Sequence, residues 1–93
     1  MDSRPAGLPA PETLFAAVIY LATNYVKTGC PMLAHMIMRQ LAYIESHPSG
    51  DVAESTRAAC SRLRDEWERI GIERAQLLRD IAAARAGDGQ PLH

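Results

Sequence analysis

Between residues 11 and 27 the apolar residues recur three and four apart, in two adjacent stripes: Leu14, Val18, Leu21, Tyr25 and Phe15, Ile19, Ala22, Val26. That spacing predicts a helix apolar over more than half its circumference, either central in a bundle or shared with a second subunit. Pro11 suits its first turn and Glu12 the positive end of its dipole. Lys27 and Gly29 mark its end. A second helix is predicted over 31–46, opened by Pro31 with Cys30 in the capping position and closed before His47-Pro48-Ser49-Gly50. Its core stripe is Leu33, Ile37, Leu41 and Ile44. Met32, Met36 and Tyr43 lie on another side and suggest an outward contact surface.

The third segment, 51–86, has a different pattern. Asp51-Val52-Ala53-Glu54 fits a capping box, and a heptad register follows. Cys60, Trp67, Arg74 and Ile81 take one core position, and Leu63, Ile70, Leu77 and Ala84 the other. Asp65 and Arg69 are ordered for a stabilising pair four apart. Gly71 interrupts the run, yet no capping residue follows it, so a continuous helix is expected. Such a helix would be about 50 Å long, against about 24 Å for each helix before it. Its far part carries Leu77, Leu78 and Ile81, which need a surface beyond the chain's own bundle.

The expected fold is therefore all-α: two short apolar helices packed on one long C-terminal helix, the bundle completed by homodimerisation. Residues 1–10 read as a disordered arm, 11–86 as a single helical domain, and 87–93 as a frayed tail. At 93 residues a monomer buries only about 60–65% of its unfolded surface, which favours the same solution.

Charge sharpens this picture in one way. Residues 1–46 hold three basic and three acidic groups, whereas the rest hold seven and eight. The first half is core material and the second a water-facing helix laced with ion pairs. Ten basic against eleven acidic residues attract neither nucleic acid nor an anionic membrane. The arginines at 57, 62, 64, 69, 74, 79 and 85 alternate with acids, so a small dimeric DNA-binding regulator is a lesser alternative. The apolar run 14–22 is too short to span a bilayer, and Lys27 spoils a lipoprotein-like site at Cys30. Two cysteines and no export signal lead to a cytoplasmic placement.

Candidate chemistry gathers around the second helix. Cys30, Met32, His35, Met36 and Met38 offer soft ligands, with Cys30, His35 and Met38 the candidates for a metal such as Cu(I). Met38 points about 200° away from Met36 on a helix, which opposes a single site. Methionines also fill cores and interfaces readily. Cys30-Pro31, with His35 a turn on, resembles the Cys-Pro signature of haem-regulated proteins, although a dipeptide recurs by chance. A thiol at a helix N-terminus is favoured as thiolate, so Cys30 is the accessible, oxidisable cysteine and Cys60 an inert core one.

No paired carboxylates, phosphate loop or nucleophile–base pair can be assigned. The expected function is a small non-enzymatic adaptor or regulator without a cofactor, acting through protein–protein contacts as a homodimer. Its interface residues are Leu77, Leu78, Ile81, Met32, Met36 and Tyr43. The alternative is a soft-metal, haem or redox sensor centred on Cys30 and His35.

Overall fold

A computed structural model describes residues 8–89. The described residues form three helices and no strands: α1 (Pro11–Thr28), α2 (Pro31–Glu45) and α3 (Glu54–Gly89). The first seven residues of the expected arm, and residues 90–93 of the expected tail, lie outside this range. Among the described residues no helix is long and apolar enough to cross a membrane.

Proline and glycine set the first two helices as their chemistry requires. Pro11 and Pro31 open α1 and α2, each after an extended residue, Ala10 and Cys30. Gly29 ends α1 in the left-handed conformation at φ 65°, and its N–H donates to the Tyr25 carbonyl at 2.7 Å. Only glycine takes that conformation without strain. Arg74 of α3 closes the same end, its Nε donating to the Gly29 carbonyl at 3.0 Å. A cation on a helix C-terminus also opposes the negative end of the dipole.

The packing order differs from the expected one. The long helix is not the platform for the other two; α2 is the central element, with α1 packed along one side and α3 along another. Ala34, Ile37, Leu41 and Ile44 are buried along α2, joined by Leu14 and Leu21 from α1, Val52 from the loop and Cys60 from α3. Burying each of the larger aliphatic side chains contributes about 1.5–3 kcal/mol. Between α1 and α3 the contact is made by side chains, with the Tyr25 and Trp67 rings edge to face at 5.3 Å.

α3 runs unbroken through Gly71, as expected, but half of its predicted seam is replaced. Cys60, Trp67 and Arg74 do face inward. Leu63 does not: it is 47% exposed, and the second inward row is Arg57, Arg64 and Gly71. Two causes decide this. Gly71 lets the backbones of α2 and α3 approach so closely that a Cβ there would stand 3.2 Å from the Cβ of Ala34. The two arginines have fixed polar partners on α2, described below. The expected Asp65–Arg69 pair is also replaced, since Arg69 engages Glu66.

The capping box fails as well. α3 begins at Glu54, and the Ala53 carbonyl accepts the N–H of Arg57 at 3.0 Å, which places the cap at Ala53. Val52 is the reason: it is buried in the core, and the chain turns and bends through residues 49–52 to seat that side chain before the helix starts. Asp51 instead closes a turn, its N–H donating to the Pro48 carbonyl at 2.9 Å.

The molecule measures 71 × 21 × 20 Å with a radius of gyration of 18.0 Å. A compact chain of this length would have a radius near about 12 Å. α3 causes the difference. Its inward contacts with α2 and α1 end at Arg74 and Ala75, and every residue from 76 to 87 is exposed.

Candidate interaction surface

Three apolar faces are left uncovered. On α1 the Leu14–Leu21 stripe is buried against α2; of the second predicted stripe Ala22 packs on the core, while Ile19 at 67%, Val26 at 84% and Phe15 are exposed. On α2 Met32, Met36 and Tyr43 are exposed on a face about 140° round the helix from the buried stripe, as helical spacing requires. Arg39 donates from Nη2 to the Tyr43 hydroxyl at 3.1 Å and borders this face. On α3, Leu77, Leu78 and Ile81 stand on the segment that has outrun both neighbours, Leu77 at 46% exposure. All six residues expected at an interface are thus on the surface of the single chain.

Leu77 is also the end of a shallow groove of about 230 Å³ between α1 and α3, lined by Tyr25, Ile70, Glu73, Arg74 and Leu77. Of the row Leu63, Ile70, Leu77, assigned to the core by periodicity, Ile70 and Leu77 therefore border the cleft between those two helices.

The candidate ligands are only partly brought together. His35 and Met38 line one open groove of about 410 Å³ between α2 and α3, with Pro31, Glu68, Gly71, Ile72 and Ala75. Cys30 caps α2 and is exposed, outside that lining. Among the described residues no three His, Cys, Asp or Glu side chains converge as a metal site would need. The groove is therefore a small apolar recess with one imidazole and one carboxylate at its edge.

The densest polar arrangement lies where α2 ends, around His47. His47 is buried, and its Nε2 donates to the carbonyl of Pro9 at 2.8 Å. Its Nδ1 lies 3.6 Å from the Asp51 carboxylate. Arg57 donates from Nη1 to the carbonyls of Glu45 and His47, the latter at 3.0 Å. Arg64 reaches the Glu45 carboxylate, Nε to Oε2 at 3.0 Å and Nη2 to Oε1 at 3.3 Å. This knot occupies the C-terminal carbonyls of α2 and ties the approach to α1 onto the α2–α3 loop. Backbone carbonyls and ion pairs take up most of these groups, which is a structural task, while Nδ1 of His47 and Nη2 of Arg57 are buried without a hydrogen-bond partner among the described residues. The sequence signal was present in the i, i+4 spacing of His47 and Asp51, but it reads equally well as a plain turn.

The two cysteines are both free, one exposed and one buried. Burial pushes the Cys60 thiol above its ordinary value; the Glu45 carboxylate acts in the same direction and Arg57 pulls partly back. Both access and ionisation thus protect Cys60. Native alkylation followed by mass mapping is expected to label Cys30 faster than Cys60 by about tenfold or more, with the difference lost in denaturant. Faster labelling of Cys60 would mean that α3 is rotated from this seam.

No family model, curated protein or solved structure matches the chain.

Proposed function

We propose that this chain is a small, non-enzymatic helical interaction protein that works in the cytoplasm as a homodimer, an adaptor or regulator whose action is binding. The observation that carries this reading is the free third of α3. Residues 76–89 extend about 21 Å past the other two helices while bearing Leu77, Leu78 and Ile81. A lone amphipathic helix of that length gains little stability in water from propensity alone, and a partner face is what stabilises it. Two unpaired cysteines agree with a reducing compartment.

Light scattering at about 50 µM tests it, a concentration at which micromolar dimers are populated. Wild type is expected at twice the chain mass, and Leu77→Asp with Ile81→Asp at the monomer mass. Both substituted positions lie outside the core, so the three-helix body of the variant should stay folded. A monomeric wild type would overturn the dimer. An unchanged dimer in the variant would remove α3 from the interface.

A further inference from the structure

The three-helix body is a bundle with one position vacant. On α1 the rotation about the helix axis runs from Leu14 and Leu21, facing α2, through Tyr25, which touches Trp67 of α3, to Phe15, Val26 and Ile19. On α3 it runs from Gly71, facing Ala34 of α2, through Trp67 to Leu63, Ile70 and Leu77. The groove shared by Tyr25, Ile70 and Leu77 confirms that this α3 row borders α1. Two exposed apolar rows therefore flank the same cleft, on the side opposite α2, where a four-helix bundle would hold its fourth helix.

We propose that this cleft seats the α3 C-terminal segment of a second copy of the chain, each subunit supplying the fourth helix of the other. The proposal rests on the self-association reading above and assigns the receiving surface. The same chain carries both halves of the contact. Phe15 to Val26 spans about 17 Å of α1, and residues 76–89 span about 21 Å of α3. With two bodies end to end around a two-fold axis, residues 76–89 of one copy run antiparallel to residues 61–75 of the other. That register brings Ile81 of one copy level with Val26 and Ile70 of its mate, and the exchange closes on itself.

The area is sufficient. The exposed apolar parts of Phe15, Ile19, Val26, Leu63, Leu77, Leu78 and Ile81 sum to roughly 600 Å² per subunit, matching the apolar share of a standard interface of about 800 Å² per partner. The Met32, Met36 and Tyr43 face lies on the far side of α2 and takes no part in this contact.

The test compares two charge-bearing variants of the full chain by light scattering, with circular dichroism as the folding control. Ile19→Asp with Val26→Asp is expected to weaken association by roughly 100-fold, because it buries unpaired carboxylates. Met32→Asp with Met36→Asp should leave it within about threefold. In a Cys30→Ser background, a mixture of Val26→Cys and Ile81→Cys chains should give an inter-chain disulfide between the two positions on oxidation. A dimer that survives folded Ile19→Asp/Val26→Asp but not Leu77→Asp/Ile81→Asp would overturn the cleft while leaving self-association standing. A wild-type monomer would overturn both. If the cleft variant fails to fold, the crosslink decides, and its absence counts against the seat.

Discussion

Gly71→Leu is expected to lower the unfolding free energy by about 3 kcal/mol, while Gly71→Ala changes it by less than about 1 kcal/mol. The contrast follows from one distance. A Cβ at Gly71 would meet the Cβ of Ala34 at 3.2 Å, slightly closer than methyl groups usually pack. Ala34 is fully buried in the first turn of α2 and has no room to withdraw. Alanine gains helix propensity of about 1 kcal/mol over glycine, and that gain offsets the crowding. Leucine adds three more carbons to a contact already filled, so α2 and α3 must separate or tilt. Urea titration followed by circular dichroism and by Trp67 fluorescence reads both variants. A leucine variant within about 0.5 kcal/mol of wild type would mean that close approach does not set the α2–α3 packing.

Arg57→Ala should cost about 2–3 kcal/mol, and Arg57→Lys should recover little of it. Arg57 donates to two carbonyls, of Glu45 and His47, at the place where α2 ends and its last acceptors lack helical partners. The bonds are charge-assisted, and the guanidinium is only 20% exposed, so removing it strands half-buried acceptors. Both bonds leave one nitrogen, Nη1, which the rigid guanidinium plane holds in place, whereas a lysine ammonium is a point charge on a shorter, flexible stem. Arg69→Ala is the comparison. Its pair with Glu66 is well exposed on both sides, and its loss should stay within about 0.5 kcal/mol. Chemical denaturation of the three variants checks the ranking. Equal small losses for Arg57→Ala and Arg69→Ala would show that the α2 end is adequately served by water.

The parts of this fold legible in the sequence are those governed by local chemistry. Pro11, Pro31 and Gly29 define the ends of α1 and the start of α2 because a missing N–H or a positive φ acts on its own residue. The stripes of α1 and α2 are also readable, since burial there follows hydrophobicity. On α3 hydrophobicity misleads. Periodicity favours Leu63 over Arg64, but Arg64 has Glu45 to meet and Leu63 has only the cleft. Gly71 looks like a defect in a helix until Ala34 is placed opposite it. The box at Asp51 and Glu54 is sound by local rules and loses to the burial of Val52. His47 carries no signal of its role, because its partner is the carbonyl of Pro9, 38 residues earlier, and no local pattern encodes that pairing. The ligand candidates divide for a similar reason: His35 and Met38 share a groove through α3, a neighbour that spacing along α2 does not reveal.

The central place of α2 has a kinetic consequence. Its two neighbours in space are also its two neighbours along the chain, so nearly every tertiary contact joins consecutive segments. Low contact order of this kind goes with folding in microseconds to milliseconds. Yet neither hairpin is self-sufficient: α1 with α2 leaves the α3-facing side of Ala34 bare, and α2 with α3 leaves Leu33 and Ile37 open on the other side. Both hairpins must close on the same helix before either is stable, so a chain with almost purely sequential wiring should still unfold in one step.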